Sequence, residues 1–257
     1  MSEAIDQGHV TVVVDAKGVA TIEFGHPLSN SLPGKILRKL AETISEVGNR
    51  SDVVLIILRS AGNKAFCAGA SFDELISIKD LDTGKVFFSG FAMVINACRK
   101  CPKLIIGRVQ GKAVGGGVGI ASAVDYCFAT QKADVKLSEL AVGIGPFVVG
   151  PAVERKIGLS AMSQLAINAT EWQTAKWAYS NGLYASLSDS EEMMDEEIER
   201  LVNQLAKSSP EAMAQLKKIF WQGTDNWDTL LADRAGISGT LVLSDFTVNA
   251  INAFKKN

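Results

Sequence analysis

Residues 53–58 of this chain (Val-Val-Leu-Ile-Ile-Leu) are apolar at every position. A strand with one wet face alternates apolar and polar side chains. A strand that does not alternate must be covered on both faces, and in a domain of this size the usual cover is helices packed on a sheet. That requirement selects an α/β architecture, and the surrounding pattern agrees. Residues 10–14 and 19–24 are β-rich around Ala16-Lys17-Gly18 and predict an opening hairpin. Ser31 ahead of Leu32-Pro33 predicts a helix start, after which Ile36, Leu37, Leu40, Ile44 and Val47 recur at helical spacing. Small residues fill a loop over 61–72, and Phe87, Phe91, Val94, Ile95 and Cys98 mark an amphipathic helix. Further strands are expected over 103–109 and 126–129.

From about Glu171 the pattern turns helical. Thr170-Glu171-Trp172-Gln173 has capping-box spacing, Met194, Ile198, Leu201, Val202 and Leu205 repeat helically, and Ser209-Pro210 reads as a cap followed by an N1 proline. The expected division is an α/β core over residues 1–190 and a helical region over 191–257, with no flexible linker and no repeat of fixed period.

Charge and cysteine usage narrow the function classes. The 257 residues carry 26 Lys+Arg against 28 Asp+Glu, a net charge of −2, which argues against general nucleic-acid binding. The long uncharged stretch over residues 140–153 holds 14 residues, three of them Gly and two Pro, too short and too broken for a membrane span of about 20 apolar residues. The start of the chain, with Glu3 and Asp6, lacks a basic, apolar secretory segment, and four cysteines make no disulfide scaffold, so a cytoplasmic location is expected. Cys98-Arg99-Lys100-Cys101 has no second ligand pair, and no metal site is expected. The only histidines, His9 and His26, stand at strand-end or turn positions, which speaks against imidazole-based triads and zinc sites. Trp172, Trp177, Trp221 and Trp227 fall in the helical part, where packing is their default role.

Three features carry possible chemistry. Gly115-Gly116-Gly117-Val118-Gly119 follows a strand and opens a helix, where backbone N–H groups and the helix dipole favour negative charge. The order misses the last glycine of a dinucleotide fingerprint, which leaves an oxyanion site or a tight packing turn. Ala65-Phe66-Cys67-Ala68-Gly69-Ala70-Ser71-Phe72 is a small-residue loop that lets a ligand approach the backbone, or a plain turn. Glu139 lies among Leu137, Ser138, Leu140, Ala141 and Val142. Apolar surroundings would raise its pKa and suit it to proton transfer near neutrality, whereas an exposed strand end would not.

Taken in order, these segments resemble the crotonase superfamily of enoyl-CoA hydratases and isomerases. The match runs through Asn30-Ser31-Leu32, Lys64-Ala65-Phe66-Cys67-Ala68-Gly69-Ala70 and Gly111-Lys112-Ala113-Val114-Gly115-Gly116-Gly117. It continues through Asp125 and Lys132-Ala133-Asp134-Val135-Lys136-Leu137-Ser138-Glu139-Leu140-Ala141-Val142-Gly143, so that nearly the whole chain is covered. The resemblance implies a spiral of repeated ββα units with a helical C-terminal oligomerisation region, assembled as a homotrimer or a dimer of trimers. It implies an acyl-CoA thioester substrate, with coenzyme A as part of that substrate and no separate cofactor. It maps the oxyanion N–H groups to Ala70 and Gly116 and the catalytic carboxylate to Glu139, with Ala68, Gly69, Gly115, Gly117 and Gly119 around the substrate.

One departure bears on the reaction. Hydratases of the family typically carry a second glutamate two residues after the glycine triplet, and here that position is Gly119. A single carboxylate suffices for isomerisation, because it can take a proton from one carbon and return it to another. Gly143-Ile144-Gly145-Pro146-Phe147 also looks more like the isomerase branch. Double-bond isomerisation is therefore the leading expectation. Enoyl-CoA hydration is the alternative if Asp73 or Glu74 supplies the missing carboxylate, although both read more simply as solvated charges opening a helix. Ser71 stands where many relatives have Asp. The rival from another class is an acyl-CoA-binding pseudoenzyme, and a generic nucleotide-binding protein is weaker still.

Overall fold

A computed structural model describes residues 7–254; Glu3 and Asp6 lie outside the described residues, as do the last three. Strands β1 (His9–Val14) and β2 (Val19–Gly25) form the antiparallel hairpin. Asp15 Oδ1 accepts from the N–H groups of Lys17 and Val19 at 2.8 and 2.9 Å, and Gly18 takes φ +78°, so this turn is built locally. Beyond it, β3 (Leu55–Ser60), β4 (Ile105–Val109), β6 (Tyr126–Thr130) and β8 (Ser186–Ser188) add in parallel, in the order β1-β2-β3-β4-β6-β8. A separate two-stranded ribbon pairs β5 (Ala113–Val114) with β7 (Val135–Lys136).

The non-alternating run over 53–58 has the expected explanation. Ile56 and Leu58 face the main core with Ile22, Phe24, Leu40 and Ile44, while Leu55 faces a second cluster with Ile106, Phe128, Met194 and Ile198. Helices α1 (Gly34–Gly48), α2 (Phe72–Leu75) and α3 (Leu81–Lys100) follow the first strands. The apolar positions of α1 (Ile36, Leu37, Leu40, Ile44 and Val47) are all buried. Ser31, expected as its cap, is not: Pro33 occupies that position, the Ser31 hydroxyl donates to Ala70 O at 2.8 Å, and the Gly34 N–H donates to Glu74 Oε2 at 2.8 Å. Tertiary partners have replaced a local cap.

Helix α4 (Gly116–Ala123) packs against α5 (Gly150–Ile167), which is broken where Gly158 takes φ +76°. The expected capping box at Thr170 is also displaced. Gln173 is drawn into a bridge with Val135, so α6 (Ala175–Ser180) starts later, with Thr174 accepting from the Trp177 N–H. After Ser188 every described element is helical: α7 (Glu191–Leu205), α8 (Pro210–Phe220), α9 (Trp227–Leu241) and α10 (Asp245–Phe254). Ser209 caps α8 by accepting from the Ala212 N–H at 3.2 Å.

These helices share the core rather than forming a separate one. Helix α7 covers one sheet face, and Trp221, Trp227, Leu231 and Ala235 join the main cluster. Helix α9 lies so close to α3 that a Cβ on Gly84 would sit 3.0 Å from Gly239 Cα. Under α8, Lys217 Nζ lies 2.9 Å from Asp125 Oδ2 with both side chains almost wholly buried, and Asp125 also accepts from Trp221 Nε1 and the Ile105 N–H. No helix among the described residues is long and apolar enough to cross a membrane.

Candidate active site

The small-residue loop after β3 is held by Asn30, which sits in the left-handed region at φ +56°. Its amide Nδ2 donates to Ala61 O and Ala65 O, each at 3.0 Å, and its Oδ1 accepts from the His26 N–H at 2.8 Å. The loop then runs beside the start of α1: Leu32 N–H donates to Gly69 O at 2.8 Å and Ser71 N–H to Leu32 O at 3.0 Å. A peptide plane carries its C=O and N–H in opposite directions. Tying Gly69 O to Leu32 therefore turns the Ala70 N–H the other way.

The glycine cluster repeats this device. Gly115 takes φ +52° and ψ −114°, a conformation that only glycine adopts easily. Its carbonyl accepts from the N–H groups of Val118 and Gly119 at 3.0 and 3.2 Å, so the Gly116 N–H on the same peptide points away from the helix. The loop and turn hydrogen bonds engage the N–H groups of Leu32, Ala68, Ser71 and Gly115 but not those of Ala70 and Gly116.

Ala70 and Gly116 both border a cavity of about 460 Å³, together with Ala68, Gly69, Gly115 and Glu139. Phe87, Phe91, Val142, Ile144, Phe147 and Val149 make much of the remaining wall apolar. Gly117 and Gly119, expected beside the substrate, do not border it. Helix α4 begins at Gly116 and rotates them away, Gly117 onto Cys67 and Gly119 onto Val149 and Ile95. A Cβ on Gly119 would meet Val149 Cγ1 at 2.6 Å, so Val149 fills the space where a side chain would begin.

Glu139 opens a short 3-10 turn, Glu139–Val142, that Gly143 closes at φ +81°. The residue as a whole is half-buried, but its Oε2 is buried and has no hydrogen-bond partner among the described residues. Loss of hydration pushes its pKa from 4.5 up to about 7, opposed only by its own backbone N–H. Oε1 lies 3.0 Å from where a Gly115 Cβ would stand, so the carboxylate faces the glycine turn directly. Among the described residues, Glu139 is the only carboxylate bordering the cavity, and Lys136 is the only cation. Glu74, one of the two carboxylates considered as a second acid, holds the α1 N-terminus. Asp73 and Glu74 stand in the first turn of α2, and neither borders the cavity. Cys98 and Cys101 are buried free thiols, and no group of three or more potential ligands that could hold a metal occurs among the described residues.

Gly116 is fixed by packing as well as by its turn. A Cβ there would stand 2.1 Å from Cζ of buried Phe91. Gly116→Ala is expected to lower unfolding stability by about 1–3 kcal/mol through overpacking, read from the denaturation midpoint. An unchanged midpoint would show that Phe91 yields freely.

Several features had no sequence signal for their place at the cavity, although spacing marked Phe87 as part of a helix face. The Phe87 and Phe147 walls and the inward face of Lys136 depend on strand pairing and helix rotation that spacing does not specify.

The sequence profile of the enoyl-CoA hydratase/isomerase family matches residues 15–239. The chain is 28% identical over 247 residues to the short-chain-enoyl-CoA hydratase of Clostridium acetobutylicum, covering 95% of this chain and 94% of that protein. It is 26% identical to the trans-2-decenoyl-[acyl-carrier-protein] isomerase of Streptococcus mutans, with 80% of each chain covered. The fold matches that of an enoyl-CoA hydratase from Bacillus halodurans with a TM-score of 0.87, at 19% identity and over 95% of this chain and 99% of that one. A profile match over most of the chain, with the same fold, settles the family. The chain belongs to the enoyl-CoA hydratase/isomerase family, within the crotonase superfamily.

Proposed function

We propose that the protein is an enoyl-CoA isomerase that moves a double bond from the 3- to the 2-position of an acyl-CoA thioester. The observation that carries this reading is that Glu139 is the single carboxylate on the cavity wall among the described residues, while Val149 fills the space beside Gly119. The relatives include both hydratases and isomerases by name, so the choice rests on the chemistry of the site.

The thioester oxygen lies between the N–H groups of Ala70 and Gly116. Ionised Glu139 removes a proton from C2, which is acidified by both the carbonyl and the double bond. The electrons spread over the dienolate, whose oxygen charge the two N–H groups stabilise. Protonated Glu139 then delivers the same proton to C4, giving the conjugated 2-enoyl thioester with no net gain or loss of atoms. A pKa of about 7 suits both halves of this exchange. The phenylalanine walls limit the water that would compete for the dienolate.

Hydration makes the opposite demand, since water must be oriented and deprotonated while C2 is protonated. The test is a 2-enoyl-CoA incubated with the wild-type protein. Its conjugated absorbance is expected to persist, and a sustained loss with formation of the 3-hydroxy thioester would assign hydration instead.

A further inference from the structure

The ribbon of β5 and β7 has two unlike faces. Ala113 and Val135 are buried in the core, whereas Lys112, Val114 and Lys136 lie on the opposite face, with Val114 paired to Lys136 and both bordering the cavity. Trp172 sits on this face, beside Gln173 in the bridge to Val135. Lys112 Nζ lies 4.4 Å and Lys136 Nζ 5.4 Å from the centre of its ring. Two ammonium groups thus converge on one indole, and no carboxylate pairs with either among the described residues.

Lys136 spends one of its three donors on Thr170 O, at 2.7 Å. Its remaining donors belong to the only cation that the described residues place on the wall, which is mainly apolar apart from Glu139 and four hydroxyl side chains. An ammonium at the cavity edge beside a second one is a poor neighbour for a plain hydrocarbon chain, because its charge is better satisfied by an anion.

We propose that Lys136, with Lys112 behind it, holds a carboxylate at the distal end of the substrate's acyl chain, so that the protein prefers ω-carboxyacyl thioesters to uncharged ones. This inference rests on reading the cavity as a thioester site. The anion could otherwise be a coenzyme A phosphate, but position favours the acyl chain. The Gly115 N–H donates to Lys136 O at 2.8 Å, which puts Lys136 one residue from the Gly116 N–H that holds the thioester oxygen. The extended pantetheine arm carries the phosphates well away from that oxygen, whereas a short acyl chain ends close to it.

The test is calorimetric binding of glutaryl-CoA and pentanoyl-CoA, equal in chain length and different in the terminal charge, with free coenzyme A as a control. Wild-type protein is expected to bind glutaryl-CoA at least about tenfold more tightly, the scale of one charge-assisted hydrogen bond. In Lys136→Met that discrimination collapses, and in Lys136→Arg it persists, with the unfolding midpoint of each variant checking that it is folded. Equal wild-type affinities overturn the inference while leaving the thioester reading intact. Proportionate weakening of both thioesters and of free coenzyme A in Lys136→Met also overturns it, by assigning the ammonium to the phosphates. Failure of both thioesters to bind wild-type protein overturns the thioester reading itself, and this inference with it.

Discussion

Glu139→Gln is expected to reduce isomerase turnover by about two to four decades, the range for loss of a general acid/base, while thioester binding survives. Glutamine keeps the shape of the side chain but cannot accept and return a proton. In the proposed isomerase cycle the group must be ionised at the start. With its pKa near 7, kcat/KM is expected to rise with pH through neutrality and level off above it. The same shift has a consequence for stability. The folded state holds this proton between the ordinary 4.5 and about 7, where the unfolded chain has released it. Stability therefore falls as pH rises through that window. Glu139→Gln removes the penalty, so the variant is expected to be more stable than wild type at pH 8, by at most about 3 kcal/mol, with the difference shrinking toward pH 4. Denaturation midpoints at the two pH values measure this directly. A variant less stable than wild type at pH 8 would contradict the buried, unpartnered carboxylate.

The second large effect lies far from the cavity. Lys217→Met is expected to destabilise the fold by about 3–5 kcal/mol, because it strands Asp125 as a buried charge without its counter-ion. Lys217 also donates to Lys103 O at 2.7 Å, so the same change frees a carbonyl at the approach to β4. The double variant Asp125→Asn/Lys217→Met is expected to recover much of the loss, since the uncompensated charge is gone. Urea denaturation of the three proteins decides the matter. A loss below about 1 kcal/mol in Lys217→Met would mean that water reaches Asp125 and that the pair does not anchor α8.

What was legible in the sequence was what neighbouring residues decide. The hairpin at Asp15–Gly18, the buried stripe of α1 and the Ser209-Pro210 start of α8 all depend on contacts a few residues apart. Where distant residues compete, local signals fail. Ser31 has capping chemistry, yet its hydroxyl goes to Ala70, and the Gly34 N–H it might have helped is satisfied by Glu74. Thr170 heads a good capping box, yet the bridge from Gln173 to Val135 keeps the chain extended until Thr174. The candidate site divides in the same way. Ordered motifs placed Ala70, Gly116 and Glu139 at one cavity, but spacing could not say that α4 turns Gly117 and Gly119 away from it. Nor could it say that strand pairing sets Lys136 opposite Val114, on the ribbon face that also carries Lys112.

The single-carboxylate mechanism is tested most directly by following the conjugated-thioester absorbance of a short 3-enoyl-CoA with wild-type protein and with Glu139→Gln. The account predicts a sustained rise with the wild type that is almost abolished in the variant. No rise with the wild type, or an equal rise with the variant, would contradict it.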